Sequence, residues 1–300
     1  MIQTNNLTKT FDKFTAVDNI SCNIPDGCIY GMVGSNGAGK STFLRLITGV
    51  YKPDNGTILF DGEPIYDNPQ TKSRISYVPD DLFFLQNSNI HKMAEFYKNI
   101  YPNFDKERCS YLTEAFKLDA KKSITMFSKG MRRQTAIILV LSSKPDYMFF
   151  DETFDGLDPV MRNLVKGLIC QDVLERKATA IITSHSLREL EDICDQLALL
   201  HHGGLVLEND ISDLKTSQFK VQVAYGYDYD ESLFNNISYS HFKKTGSVAT
   251  MLVKGDKDET IRSLNALKPI LLDVLPLTLE EVFTFEMDSL GYNFESILEV

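Results

Sequence analysis

The chain of 300 residues has five cysteines, Cys22, Cys28, Cys109, Cys170 and Cys194, and no two of them form a Cys-x-x-Cys pair. An odd, dispersed set is neither a disulfide framework nor a zinc site, so reduced thiols are expected. Long hydrophobic runs are also missing. The longest obvious one, Ala136 to Leu141, is far too short to span a bilayer. Met1-Ile2-Gln3-Thr4-Asn5-Asn6 lacks the basic-then-apolar order of a signal peptide. Positive charge is scarce: 31 Lys and Arg face 41 Asp and Glu, for a formal net charge of −10 and a pI near 5.0. That balance argues against a general nucleic-acid binder and leaves room only for a local basic patch. Neither an internal repeat nor a low-complexity tract is visible. The chain is therefore expected to be soluble by itself, and any action at a membrane requires another polypeptide to span it. Its 43 % hydrophobic content supports one large domain plus a small one, or two domains.

What is present begins at residues 34–42, Gly34-Ser35-Asn36-Gly37-Ala38-Gly39-Lys40-Ser41-Thr42. This is the phosphate-loop pattern Gly-x-x-x-x-Gly-Lys-Ser/Thr. The apolar run Cys28-Ile29-Tyr30-Gly31-Met32-Val33 before it reads as a buried strand. Phe43, Leu44 and Ile47 after it recur at helical spacing. The loop thus joins a strand to a helix N-terminus, where backbone N–H groups and the helix dipole favour one anion. Gly37 and Gly39 let phosphate approach the backbone. Lys40 supplies a point charge for the outer phosphates, and Ser41 a hydroxyl for Mg²⁺.

Further strands are expected at Ile20 to Ile24, Thr57 to Phe60, Glu63 to Ile65 and Ile75 to Val78. Asp61-Gly62 marks a hairpin between the second and third of these. Residues from about Asn89 to Leu118 read as mostly helical, with Met93, Phe96, Tyr97 and Ile100 on one face and a break at Pro102. One helix is expected over 129–142. Strands Tyr147 to Phe150, Ala178 to Ile182 and Leu197 to Leu200 then alternate with helices, which implies a mostly parallel sheet covered on both faces. A strand from Leu205 to Glu208 closes this part. Near residue 211 the character changes. Strands are expected at Phe219 to Ala224, Val248 to Val253 and Ile270 to Val274, and helices at Glu259 to Leu267 and Thr278 to Leu290. Residues 211–300 hold 14 acidic and 8 basic side chains and read as a small α+β appendage.

Tyr147-Met148-Phe149-Phe150-Asp151-Glu152 is an apolar strand that ends in two carboxylates. Delivered to a phosphate site, Asp151 can serve a Mg²⁺ shell, and Glu152 can accept a proton from an attacking water. Alone, the same pattern fits a solvated acidic strand end equally well. Ser128 in Phe127-Ser128-Lys129-Gly130-Met131 fits an N-cap. Phe154-Asp155-Gly156-Leu157-Asp158-Pro159 reads as a turn before a helix with an early proline. Thr183-Ser184-His185 follows a strand, and a lone histidine says little by itself.

Taken together and in this order, residues 2 to 210 resemble the nucleotide-binding subunit of the ATP-binding cassette (ABC) transporter family. The resemblance implies an α/β fold of the P-loop NTPase type. It has a mostly parallel sheet, an antiparallel β subdomain and an inserted helical subdomain at about residues 86–145, giving an ABC ATPase domain over 1–210 and an accessory α+β domain over 211–300. It implies ATP and Mg²⁺ as cofactors, and pairing of two subunits head to tail around two ATP molecules. Gly34 to Thr42 match the phosphate loop. Ser128 and Gly130 match the signature loop that meets the γ-phosphate on the opposite subunit. Asp151 matches the metal-site aspartate, Glu152 the general base, Asp158 the aspartate of the loop crossing the dimer interface, and His185 the switch histidine on the γ-phosphate.

Three features depart from the family pattern. Phe11 stands where the adenine-stacking aromatic is commonly Tyr, and it stacks without a hydroxyl. The signature reads Phe-Ser-Lys-Gly-Met in place of Leu-Ser-Gly-Gly-Gln. Asp80, after Ile75-Ser76-Tyr77-Val78-Pro79, stands where the family usually has Gln, and it is expected either to approach Mg²⁺ or to act as a coupling hinge. Phe83 and Phe84 just beyond it fit a groove for a helix of the membrane subunit or the core of the helical subdomain about equally. Thr278-Leu279-Glu280-Glu281-Val282-Phe283 resembles a segment near the end of many export-type members. The expected function is therefore an ATPase on the inner face of the cell membrane. It would drive a separate integral membrane permease, with a lean towards export, as a homodimer or heterodimer and without a nucleic-acid partner. A soluble ABC ATPase working as a mechanical switch on a cytoplasmic complex, or a regulatory module that holds ATP but barely hydrolyses it, are the competing readings. The intact Glu152 and His185 speak against the latter.

Overall fold

The structure is a computed structural model and describes residues 1–216, 218–275 and 277–289. Its main chain divides into two compact units, and the division falls between Glu208 and Asn209, two residues before the end of the last strand grouped with the first unit. In chain order the first unit runs β1 (Ile2–Phe11), β2 (Phe14–Ile24), β3 (Ile29–Val33), α1 (Lys40–Ile47), β4 (Asn55–Phe60), β5 (Glu63–Pro64), α2 (Pro69–Lys72), β6 (Ile75–Val78), α3 (Ile90–Ile100), α4 (Lys106–Ala115), α5 (Lys129–Ser142), β7 (Tyr147–Asp151), α6 (Pro159–Arg176), β8 (Thr179–Ser184), α7 (Leu187–Glu191), β9 (Gln196–His201) and β10 (Gly204–Asp210).

Six of these strands form a sheet in the order β10-β9-β3-β8-β7-β6. The β6–β7, β7–β8, β3–β8 and β3–β9 pairs are parallel. Every residue of β3, β7 and β8 is buried, which is why their central residues are apolar without alternation. Register decides where the site lies. Val33 sits opposite Ser184, Asp151 opposite Thr183, and Val78 opposite Phe150. The phosphate-type loop, the Asp151-Glu152 pair, the Thr183-Ser184-His185 segment and Asp80 therefore all leave the sheet at one end, where ligands of open α/β sheets bind.

The second sheet has the order β2-β1-β4-β5. Its β4–β5 hairpin turns at Asp61 (φ 52°) and Gly62 (φ 85°), the double positive φ that an Asp-Gly pair supports. Two features escaped the sequence patterns. β1 was not expected as a strand, and β2 starts at Phe14 rather than Ile20. In β1 the buried Ile2 and Leu7 are five residues apart, because register shifts break the alternation. Asn6 lies between them at φ 48°.

Asn89 and Asp105 cap α3 and α4 by accepting from the N–H groups of Lys92 (2.9 Å) and Arg108 (2.9 Å), and Pro102 lies in the gap. The expected apolar face of α3 is only partly buried. Met93 is covered, but Phe96 and Ile100 are 40 % and 48 % exposed, because α3 meets α5 along a narrower strip than the stripe occupies. Nearby, Phe83 is 81 % exposed, whereas Phe84 is half-buried. All five cysteines are free thiols, and four of them are buried.

The second unit adds α8 (Ile211–Thr216), β11 (Gln218–Ala224), β12 (Tyr239–Thr245), β13 (Val248–Lys254), α9 (Lys257–Ala266), β14 (Leu271–Leu275) and α10 (Leu279–Ser289). Its four-stranded sheet, β12-β13-β11-β14, is antiparallel throughout. Val221, Val223, Phe234, Met251 and Leu264 form the centre of its core. Inside this core the single proton of the Tyr229 hydroxyl is shared between the carbonyls of Val223 (3.1 Å) and Ser247 (2.8 Å). β12 escaped the sequence patterns, since Tyr-Ser-His-Phe-Lys-Lys-Thr is mostly polar. α10 opens with a capping box. The Glu281 N–H donates to Thr278 Oγ1, and the Thr278 N–H donates to Glu281 Oε2. Among the described residues, no helix is long and apolar enough to cross a membrane.

Candidate active site

The loop between β3 and α1 is closed on itself. A Cβ at Gly34 would lie 2.5 Å from the Leu200 carbonyl oxygen, and one at Gly39, where φ is 103°, 2.3 Å from that of Ala16. No side chain fits either place without moving backbone. Lys40 opens α1 and is 5 % exposed. Its Nζ donates to the carbonyls of Gly34 (2.6 Å) and Ser35 (3.2 Å) and pairs with Glu152 Oε1 at 3.1 Å. The ammonium thus lies under the loop, at the helix N-terminus where an anion is favoured.

Asp151 ends β7 and is fully buried. Its partners are three hydroxyls. Ser41 Oγ (3.0 Å) and Thr183 Oγ1 (2.8 Å) donate to Oδ1, and the Tyr77 hydroxyl (3.1 Å) donates to Oδ2. Burial, and then the Asp151 charge beside it, push the Tyr77 hydroxyl pKa up, so it remains a donor. A buried carboxylate ringed by neutral oxygens is a hard-oxygen donor set that suits Mg²⁺.

Glu152 is one residue further and has different surroundings. Its backbone is left-handed, φ 46°, a conformation that costs roughly 1–3 kcal/mol in a residue with a Cβ unless its neighbours impose it. They do so from both sides. Its N–H donates to Thr183 O (3.2 Å) and Oγ1 (3.1 Å). Its carbonyl accepts from the Asp155 N–H (3.2 Å) and from Arg133 Nη1. With the backbone fixed, the carboxylate reaches Lys40 through Oε1 and His185 through Oε2, the latter accepting from the His185 N–H (3.2 Å) and Nδ1 (2.9 Å). The bond to Glu152 raises the His185 pKa, against the opposing effect of partial burial. Asp155 brings a further carboxylate oxygen within 4.8 Å of the Glu152 and His185 donors.

The strand ends thus gather Lys40, Ser41, Asp151, Glu152 and His185 into one hydrogen-bonded cluster. Asp80 is bound elsewhere than at the loop. Its Oδ1 pairs with Arg133 Nη2 at 2.8 Å. Among the described residues, the hydrogen bonds and ring contacts of Phe11, Ser128 and Asp158 stay outside the cluster. Phe11 is half-exposed and edge-on to Tyr51 at 5.5 Å. Ser128 caps α5 by accepting from the Met131 N–H (3.2 Å), and Asp158 caps α6 by accepting from Val160 and Met161 (3.0 Å each). Gly130 approaches the next loop so closely that a Cβ would lie 2.9 Å from the Gly156 carbonyl oxygen. Tyr77, Thr183 and Arg133 were not singled out as site residues. Thr183 adjoins a quoted motif, and Tyr77 is the one ring in the Ile75–Val78 strand. Arg133 carries no signal of its own, since it stands beside Arg132 in the polar first half of α5.

A known protein resembles this chain over nearly its whole length. The ABC transporter ATP-binding protein YtrB of Bacillus subtilis is 32 % identical over 283 residues, which make up 94 % of this chain and 97 % of that one. The chain belongs to the ABC transporter ATP-binding proteins. The ABC transporter family model matches residues 17–155. The bacitracin transport ATP-binding protein BcrA of Bacillus licheniformis is 32 % identical over 218 residues, covering 72 % of this chain and 71 % of that one. Among solved structures, an ATP-binding subunit of an ABC transporter superposes with a TM-score of 0.67 at 23 % identity, over 71 % of this chain and 91 % of that one. A dimeric ATP-binding cassette in a post-hydrolysis state, bound to ADP and phosphate, superposes with a TM-score of 0.61 at 20 % identity, over 70 % of this chain and 99 % of that one. The fold is accordingly that of the ABC cassette, a P-loop α/β core with added antiparallel strands and helices. The chain is an ABC-family ATPase that supplies energy from ATP to a separate membrane permease.

Proposed function

We propose that Glu152 is the general base of ATP hydrolysis in this subunit. The carrying observation is its carboxylate, held at the sheet end between Lys40 and His185 and one residue from Asp151. On this reading, the N–H groups of residues 34–42 and the Lys40 ammonium take the phosphates, and Lys40 Nζ exchanges its Glu152 and carbonyl partners for phosphate oxygens. Glu152, released from Lys40, accepts the proton of the attacking water as the bond between the γ-phosphorus and the bridging oxygen breaks. His185 holds the attacking geometry against the γ-phosphate. Ser41 and Asp151 would hold Mg²⁺, which offsets charge on the phosphate oxygens when bound. Phe11 stacks on adenine. Ser128, Gly130 and Asp158 face the site of a second subunit, in a homodimer or heterodimer.

The residues from about 211 onward form an accessory domain, and residues of about 86–145 form the helical subdomain. We further infer export as the direction of transport. The names of similar proteins support this, among them the linearmycin resistance ATP-binding protein LnrL of Bacillus subtilis, as does the Thr278–Phe283 segment. The subunit would then work at the inner face of the membrane through its permease. The test is Glu152→Gln. It should keep ATP binding, lose turnover by roughly 10²-fold or more and accumulate as an ATP-bound dimer in size-exclusion chromatography. A monomer with wild-type turnover would contradict the assignment.

A further inference from the structure

Arg133, on α5, is fully buried, although its charge is the kind of group that burial penalises most. Its guanidinium has three oxygen partners, which belong to only two residues. Nη1 donates to the Glu152 carbonyl. Nη2 donates to the Asp80 carbonyl at 3.2 Å and pairs with Asp80 Oδ1 at 2.8 Å. Nε has no partner. β6 and β7 are adjacent parallel strands, and these two residues follow their ends. One planar fork therefore clips the two strand ends together, a geometry a guanidinium supports and an ammonium does not.

We propose that Arg133 and Asp80 act as one unit that positions Glu152 for catalysis. The inference rests on Glu152 being the base. Glu152 holds a left-handed backbone that is stable only when its surroundings impose it. Thr183 fixes its N–H side, and Arg133 is the side-chain donor to its carbonyl. Loss of that donor lets the peptide after Glu152 rotate and carries the carboxylate away from Lys40 and His185. Asp80 enters because it is the carboxylate that neutralises the buried fork. A neutral residue there leaves the guanidinium with carbonyls alone. This accounts for an acid where the family usually has Gln, and it makes Asp80 a positioning residue that acts through Arg133. The restored family residue in Asp80→Gln should therefore be harmful here.

The test uses the full-length protein with Mg²⁺ and ATP, measuring kcat, the dissociation constant of a fluorescent ATP analogue, and amide hydrogen exchange of the segment 151–157. Arg133→Gln should lower kcat roughly 10²-fold and Asp80→Asn about tenfold, the scale of a misplaced reacting group. In both, the nucleotide dissociation constant should stay within about twofold of wild type, and exchange in 151–157 should speed up while exchange in β3 does not. Arg133→Lys should recover part of kcat. The double variant should be no slower than Arg133→Gln alone, as expected of residues that act as a unit. Asp80 is half-exposed, so its variants report even where Arg133→Gln fails to fold. Wild-type kcat in Asp80→Asn overturns the proposal. So does a loss that is recovered by raising Mg²⁺, which would make Asp80 a metal ligand, and so do multiplying effects in the double variant. Glu152→Gln in the same assay separates the two readings. If it keeps turnover, the base assignment fails. If only the Arg133 and Asp80 variants behave as wild type, the positioning unit fails and the base stands.

Discussion

The six-stranded sheet of the first unit and the four-stranded sheet of the second order their strands differently, and the chemistry follows the difference. In the six-stranded sheet, β6, β7, β8 and β3 run parallel, so their C-terminal ends share one edge and deliver Asp80, Asp151, Glu152, His185 and the residue 34–42 loop side by side. In the second unit every pairing is antiparallel. Neighbouring strands there run in opposite directions, and among the described residues the groups of three or more possible metal-ligating side chains lie at Glu152, Asp155 and His185 of the first unit. Polar groups in that unit serve the fold instead. The Tyr229 hydroxyl is spent on two carbonyls of its own sheet and loop, and Lys220 pairs with Glu281 at 2.5 Å. Parallel topology concentrates function at one edge, while antiparallel topology distributes its polar groups as local fasteners.

The hardest blow to this contrast would be a first-unit cluster that does not matter for turnover. Lys40→Ala should abolish productive turnover, to at least roughly 10³-fold below wild type, because a methyl group offsets no phosphate charge. Near-normal phosphate release from the purified variant would break the comparison outright. Phe234→Ala probes the other side. It empties a fully buried position in the second core and should destabilise that unit by about 3–5 kcal/mol. ATPase activity at low temperature should persist, and a denaturant melt read with a turnover assay would show whether the two losses separate. Thr183→Val is subtler. It removes the hydroxyl shared by Asp151 and Glu152, with an expected stability loss of about 1–3 kcal/mol and a fall in kcat, both measurable on one preparation.

The smallest effect expected is a pH dependence at His185. Its folded pKa lies above the ordinary 6.5 through the bond to Glu152. The protonated form is thus preferred by the folded state. The stabilisation is fully present below about pH 6.5 and fades as pH rises through the raised value. The side chain is about half-exposed, so solvent screening keeps the contribution small. The melting-temperature gap between wild type and His185→Gln should be larger at pH 6 than at pH 8.5. A gap that widens with rising pH would reverse the sign.

Much of this arrangement was legible in the chain because it is local. The glycine spacing of 34–42, the apolar run ending in Asp151-Glu152 and the Ser128 cap each complete their meaning within about ten residues. Elements whose meaning depends on distant partners were not legible. β1 and β12 are held by neighbours rather than by their own alternation, and bulges hide the pattern of the first. Thr183, Tyr77 and Arg133 acquire their roles only when register sets them against Asp151 or Glu152. Asp80 shows the limit most sharply. The sequence marked it as unusual and expected metal or hinge, while its observed partner is a guanidinium 53 positions further along.

The thiols have a consequence for chemistry done on the protein. Burial pushes the Cys22 thiol up to about 12 and also raises those of Cys109 and Cys194. Cys28 is buried as well. Cys170, on α6, is the partly exposed exception, and burial raises its pKa too. An alkylating reagent needs the thiolate and a path to it. Under native conditions it should therefore stop at a single adduct, on Cys170, giving the wild-type molecule one address for a dye, spin label or surface attachment without any engineered cysteine.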